Sequence, residues 1–479
     1  MKSDIIKNME SKTPEQLQAY VKTKSEFTDY TRFQDENSKR LPAREDFIAG
    51  KEYAPAYEYP ALDSFYDLDE KGKAIADKKS QIYEAVMELR AHLDDDDISS
   101  DEYELYAQYH EVRLKRIMLV EAARRLHHTG ASGEQVVARN DFMRMNAELY
   151  GEMDAPKFDA MMHTEADLVA NFVPADQQSE EIKAYLDAYM SRHEFVEVEK
   201  PLLDPELVVQ LNDFVLERYS DILAVVPETD ESVIYDAEAC REIMQQALAA
   251  GGLEEKGWQI VISSKRSNVA TNSSAKKIYI PNTTTRTADE LKRLILHEQE
   301  VHARRGQNGD DANVSVLKFG TADYADVEEG LGVILECAVA GTLQNPSFDR
   351  ARDRYITAGL ALGVDGIPKD ARSTYDIVWR LLAVRNARDG TISDDIVAAA
   401  KSKAMDYVDN AFRGTNYAAP GIIYTKLKVY YEGLVKNAEY LAEHRDNLDE
   451  AFDVAMVGKC NHTDSTEVEN VQSLVALAA

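Results

Sequence analysis

The chain has 479 residues with 86 acidic against 55 basic side chains, and its formal charge of −31 repels phosphate backbones, which excludes nucleic-acid binding. Its three cysteines, Cys240, Cys337 and Cys460, are odd in number and widely spaced, so they form neither a disulfide framework nor a Cys-type zinc site. No apolar run approaches the ~18 residues of a membrane span. Met1 to Asn8 lacks the apolar core of a signal peptide, so the expectation is a cytoplasmic protein with no membrane partner.

In chain order, residues 1–70 are polar and punctuated by Tyr and Pro, which predicts an extended N-terminal arm. Ile82, Val86, Leu89 and Leu93 then form a helical stripe, broken by the acidic run Asp94 to Asp97. A second helix, about 101–126, pairs back on it as a hairpin. Further helices are predicted near 134–150, 155–171, 177–195, 204–224 and 236–250, so residues 71–250 read as a helical subdomain. Residues 251–479 read as the catalytic subdomain. It opens with β-rich segments at 258–262 and 277–280, separated by a loop rich in Ser, Asn and Thr. Helices near 347–363, 371–388, 391–411 and 423–445 follow, and the tail after about 458 is polar and then small and apolar. The fold class is mainly α with a small β-sheet.

The sheet leads directly into the segment that carries chemistry. Thr287-Ala288-Asp289-Glu290 has the form of a capping box, and Leu291, Leu294, Ile295 and Val301 supply the apolar face of the helix it starts. On that helix lie His297-Glu298-Gln299-Glu300-Val301-His302, followed later by Glu328-Glu329-Gly330-Leu331. Two imidazoles and a later carboxylate are a borderline-soft ligand set of the kind Zn²⁺ takes at a catalytic site with an open position. Glu298, next to the first histidine, is the residue type that takes a proton from an activated water. These residues predict a zinc-dependent peptidase. The histidines are five residues apart, which on a regular helix rotates them by about 140°. A local π-bulge between them is therefore expected. Glu328 and Glu329 point about 100° apart, so only one of them faces the ion, and Glu336, on nearly the same face two turns beyond Glu329, is an alternative carboxylate.

His-Glu-x-x-x-His followed by Glu-Glu-Gly-Leu resembles the microtubule-associated tyrosine carboxypeptidase family, whose bacterial relatives carry a Gln-Glu-Gly-Leu-Ala motif. Other blocks resemble the same family. They are Phe47-Ile48-Ala49-Gly50 with Pro55 to Leu62, His302-Ala303-Arg304-Arg305-Gly306-Gln307-Asn308, and Arg413-Gly414, Pro420-Gly421, Tyr424-Thr425-Lys426 through Tyr430-Tyr431-Glu432-Gly433. The resemblance spans roughly residues 45–440. It implies a zincin-like metallopeptidase with zinc on His297, His302 and Glu329, because the family motif keeps a carboxylate only at the second of the two positions. Gly332 stands where the family usually has alanine, a mild departure. Leu427 replaces the aspartate that normally follows Thr-Lys, which removes any role of that aspartate in holding Lys426.

The implied reaction is removal of C-terminal residues from a peptide or protein substrate. Glu298 is the base, with Tyr430 or Arg305 as the electrophile for the oxyanion. Arg305, Asn308, Arg413 and Lys426 are the candidate substrate-binding residues, since a carboxypeptidase needs a cation for the terminal carboxylate. Two alternatives stand beside this reading. One is an aminopeptidase resembling dipeptidyl peptidase III, and the other is a non-enzymatic helical interaction protein with a vestigial metal site.

Overall fold

The computed structural model describes residues 100–478 except 129–132, 194, 196–203, 229–231, 265, 267 and 313, together with 34–35, 44–51, 57–58, 84, 87 and 90–91. Most of the expected 1–70 arm, the Ile82 to Leu93 stripe and the Asp94 to Asp97 break lie outside the described residues. Within them, the chain is mostly helical with one small mixed sheet, and a further two-residue pair joins β1 (Gln34–Asp35) to β2 (Tyr57–Glu58).

Helix α1 (Ser100–His128) packs on α2 (Gly133–Tyr150). Helices α3 (Ala155–Asn171), α4 (Gln177–Met190) and α5 (Pro205–Arg218) follow, then the short α6 (Ser220–Leu223) and α7 (Ala237–Ala250). Asp154, Asp176, Asp204 and Asp236 cap α3, α4, α5 and α7, each carboxylate accepting a first-turn backbone N–H. Such a cap contributes about 1 kcal/mol and fixes where the helix starts. The segment expected as one helix over 204–224 divides at Tyr219, which caps α5 and opens α6.

The sheet has the order β3 (Gln259–Ser263), β5 (Lys277–Pro281), β4 (Ala270–Asn272), with β3 parallel and β4 antiparallel to β5. Ile260, Ile278 and Ile280 turn into the core. Strand β4 lies inside the stretch expected to be a loop. Ala-Thr-Asn carries little β-propensity of its own, and pairing with β5 is what makes it a strand.

Helix α8 (Ala288–Ile295) starts at the Thr287 capping box, with both reciprocal hydrogen bonds formed. It runs into a π-helix at Leu296–Ala303 and then α9 (Arg304–Asp311). Then come α10 (Ser315–Phe319), α11 (Tyr324–Ala340), α12 (Pro346–Leu362), α13 (Ala371–Arg385) and α14 (Asp394–Ala411). A 3-10 turn at Thr425–Lys428 leads into α15 (Val429–Glu443), followed by α16 (Leu448–Ala455) and α17 (Ser465–Ala478). The tail after about 458, polar and then small and apolar, folds as helix α17 over Ser465–Ala478. Its Val471 and Leu474 bury with Leu105, Tyr106 and Tyr109 of α1 and Val316 and Leu317 of α10, a satellite core apart from the main one.

The main core is one contiguous apolar cluster that draws on both the 71–250 and the 251–479 segments, from Phe142 and Phe158 to Trp258, Leu331 and Phe452. Its tightest crossing joins α11 to α15. A Cβ on Gly330 would lie 1.9 Å from the Gly433 carbonyl carbon, and one on Gly433 would lie 1.8 Å from the Asp326 carbonyl oxygen. Only glycine allows main chains this close. Gly433→Ala is expected to cost about 1–3 kcal/mol, because backbone cannot rotate out of the way as a side chain can. An unchanged denaturant midpoint would show that the two helices part freely.

Candidate metal centre

The five-residue spacing of His297 and His302 needs a helix in which residues five apart stack on one face. An i→i+5 hydrogen-bond ladder provides this. The π-helix covers eight residues, Leu296–Ala303, so the distortion is longer than the single bulge expected from the sequence. The two imidazole centroids come within 4.9 Å of each other. The neighbouring side chains point elsewhere and pin the ladder. Gln299 donates to the Met244 carbonyl at 2.8 Å, and Glu300 is buried against Arg304.

Glu329 of α11 completes the group. Its Oε2 lies 3.7 Å from His297 Nε2 and 3.8 Å from His302 Nε2, and ligand atoms of the three residues all fall within 4.8 Å of one another. Tetrahedral ligands ~2 Å from a zinc ion stand roughly 3.3 Å apart, so these atoms need little movement to share one ion. The three residues could hold a metal ion.

Both imidazoles are backed by carboxylates. His297 Nδ1 meets Glu336 Oε1 at 2.5 Å, and His302 Nδ1 meets Glu328 Oε1 at 2.7 Å. A carboxylate behind each Nδ1 would leave Nε2 free for a metal ion once one is bound, the arrangement that orients and strengthens metal-bound histidines. Burial alone would lower the His297 imidazole, but Glu329 and Glu336 outweigh it and hold it well above the ordinary histidine value. Glu336, expected as an alternative ligand, thus stands behind a ligand instead, and Ser347 Oγ donates to its other oxygen. Glu328 is buried beneath His302. Glu336→Ala is expected to weaken metal affinity by about 10–100-fold, read by chelator competition. Unchanged affinity would show that Glu336 does not orient His297.

Glu298 turns toward the sheet, where its Oε2 accepts a hydrogen bond from Thr271 Oγ1 at 2.6 Å. Thr271 sits on β4, so the strand missed from the sequence also supplies a residue that sequence reasoning missed. Tyr430, at the start of α15, has its phenol pushed up to about 12 by the Glu329 carboxylate and by burial, and so it stays protonated. Burial raises the Glu329 carboxyl, but the hydrogen bond to His297 and the charges of His302 and Lys426 hold it well below its usual range, which puts Lys426 within electrostatic reach of Glu329. Tyr430 and Lys426 of the distant C-terminal block therefore lie near the histidines. Gly332 is not a mild departure in this chain. A Cβ there would lie 2.6 Å from both Nδ1 and Cε1 of His297, so the glycine is the seat on which the ligand ring rests.

The remaining candidates are placed differently. Arg305 is fully buried, with Nη1 on Glu328 Oε2 at 3.2 Å and Nη2 on the Cys460 carbonyl at 2.5 Å. Its donors are directed behind the ligand layer, which corrects its expected roles toward substrate and oxyanion. Asn308 donates to the Met456 carbonyl at 2.6 Å and ties α9 to the end of α16, so it too acts on the fold. Arg413 lies within electrostatic reach of Tyr424, two residues before Lys426.

Residues 187–358 match the model of the family described as microtubule-associated tyrosine carboxypeptidase. This span contains the sheet, the π-helix and all of α11, and is shorter than the span over which the motif blocks were read. No curated protein matches the chain.

Proposed function

We propose that this chain is a zinc-dependent peptidase with a zincin-like catalytic unit, and that it removes C-terminal residues from peptides or proteins. The observation that carries the reading is the convergence of His297, His302 and Glu329 with Glu298 beside them. Residues 251–479 form the catalytic unit in this reading, with the described part of 71–250 as its helical support. The family match supports a peptidase-type activity.

The donor set, two imidazoles and one carboxylate, suits zinc at a catalytic site. A zinc ion held there would supply Lewis acidity toward the scissile carbonyl and the attacking water. The protein's own residues do the rest. Glu298 takes the proton of the attacking water and returns it to the leaving amine, with Thr271 holding the carboxylate in place. Tyr430 keeps its proton and donates it as a hydrogen bond to the developing oxyanion. Strand β4 is an outer strand of the sheet, next to Glu298, and an extended substrate can pair along it. Lys426 makes no ion pair among the described residues and is a point charge that draws an anionic substrate toward the site.

The test is hydrolysis of matched peptides by the full-length protein. An N-acetylated peptide with a free C-terminal carboxylate should be shortened from its C-terminus. Chelation should stop the reaction and added Zn²⁺ restore it, while the C-amidated partner reacts far more slowly. Cleavage that needs a free N-terminus and ignores C-terminal amidation would replace this reading with the aminopeptidase one.

A further inference from the structure

Arg354 on α12 pairs with no carboxylate among the described residues, and it lies against Tyr430 near the candidate metal centre. Its guanidinium carbon lies 4.2 Å from the centroid of the Tyr430 ring, and the Glu329 carboxylate acts electrostatically on that same tyrosine. The other arginines of this stretch are engaged. Arg350 donates to Ser347 Oγ at 3.2 Å, Arg352 to Asp349 at 2.7 Å, and Arg385 of α13 to Asp353 at 2.6 Å. Arg354 makes no hydrogen bond and no ion pair among the described residues, and its side chain is partly exposed.

The contact matters because of what it leaves unused. A guanidinium over an aromatic ring is attracted by the ring quadrupole and need spend none of its N–H donors there. Such a group presents a ready fork to a planar anion, and a carboxylate is the anion whose two oxygens match it. Lys426, near Glu329, offers only a point charge, and Arg305 is enclosed behind the ligands.

We infer that Arg354, held over the Tyr430 ring, is the fork that binds the terminal carboxylate of the substrate. This rests on the carboxypeptidase reading of the same site. It makes Arg354 a residue that selects for a free C-terminus, and it gives Tyr430 a second task as the platform for that cation.

The experiment uses full-length protein loaded with Zn²⁺ and a panel of N-acetyl amino acids with their amides, which carry the terminal group but no scissile peptide bond. Dissociation constants are measured for wild type, Arg354→Gln and Arg354→Lys, with thermal melts to check folding. Wild type should bind the acids more tightly than the amides. Arg354→Gln should weaken acid binding by about 10–100-fold, the range for a charge-assisted fork, and leave the amides unchanged. Arg354→Lys, which keeps the charge and loses the fork, should recover only part of the preference. An acid preference that persists in Arg354→Gln, or is absent from wild type, overturns the assignment. Peptide hydrolysis by the same samples separates the two readings. Zinc-dependent hydrolysis with an unaltered acid preference in Arg354→Gln removes Arg354 alone. An Arg354-dependent acid preference without hydrolysis removes the peptidase reading and leaves a carboxylate site.

Discussion

Glu298→Gln is expected to lower peptide turnover by about 10³-fold while leaving bound zinc at the wild-type level, and His302→Ala to lose both. The amide is close to isosteric with the carboxylate, and its carbonyl oxygen can still accept the Thr271 hydrogen bond, so the side chain keeps its place. What it loses is the ability to take a proton from water. His302→Ala instead removes one of the three grouped ligands and leaves Glu328 without the imidazole it supports. Zinc content by elemental analysis, measured on the samples used for turnover, separates the two effects. Substantial turnover in Glu298→Gln would reject Glu298 as the base, and loss of zinc from it would move Glu298 into the ligand set.

The elements around this site differ in how far the sequence reveals them. Local rules were sufficient where the signal is local. The Thr287 box formed as read, and the strained spacing of His297 and His302 announced a π-helix without any structural information. Strand β4 could not be read in the same way, because Ala270 to Asn272 become a strand only by pairing with β5. Thr271 was missed with it, since nothing in Ala-Thr-Asn marks a residue that touches a glutamate 27 positions away. The roles of Glu328 and Glu336 depend on which face of α11 meets the π-helix, a tertiary fact that helical periodicity leaves open. Arg305 illustrates the opposite error. Its position in a motif beside the second histidine suggested substrate contact, yet only the fold shows its guanidinium enclosed between Glu328 and the Cys460 carbonyl. Arg354 has no motif at all. Its signal is that no carboxylate among the described residues pairs with it, and this becomes visible only when its neighbours are placed.

Glu328→Ala is expected to destabilise the whole protein by about 3–5 kcal/mol, more than the loss of one hydrogen bond to a ligand would suggest. Glu328 is the common partner of three cationic or donor groups: Lys459 Nζ at 2.5 Å, Arg305 Nη1 at 3.2 Å and His302 Nδ1 at 2.7 Å. Lys459 and Arg305 are themselves buried, so deleting the carboxylate strands two positive charges in the interior. Burial alone would raise the Glu328 carboxyl, but Lys459, His302 and Arg305 together bring it down to about 2. The sign follows from that depression. Its contribution to stability is complete above the unfolded value of 4.5 and is lost as pH falls toward 2. Glu328→Ala should therefore lower the denaturant midpoint at neutral pH and flatten its decline over that acid window. Glu328→Gln, which restores the residue the family motif carries, keeps an oxygen for His302 but no charge for Lys459. It should lose stability while retaining more metal affinity than the alanine variant. Because Lys459 lies just ahead of the segment that ends in α17, the same contact couples the C-terminal part of the chain to a candidate ligand on the π-helix. A neutral-pH midpoint unchanged in Glu328→Ala would show that Lys459 and Arg305 find solvent or other acids without it, and that the carboxylate layer behind His302 acts on the metal alone.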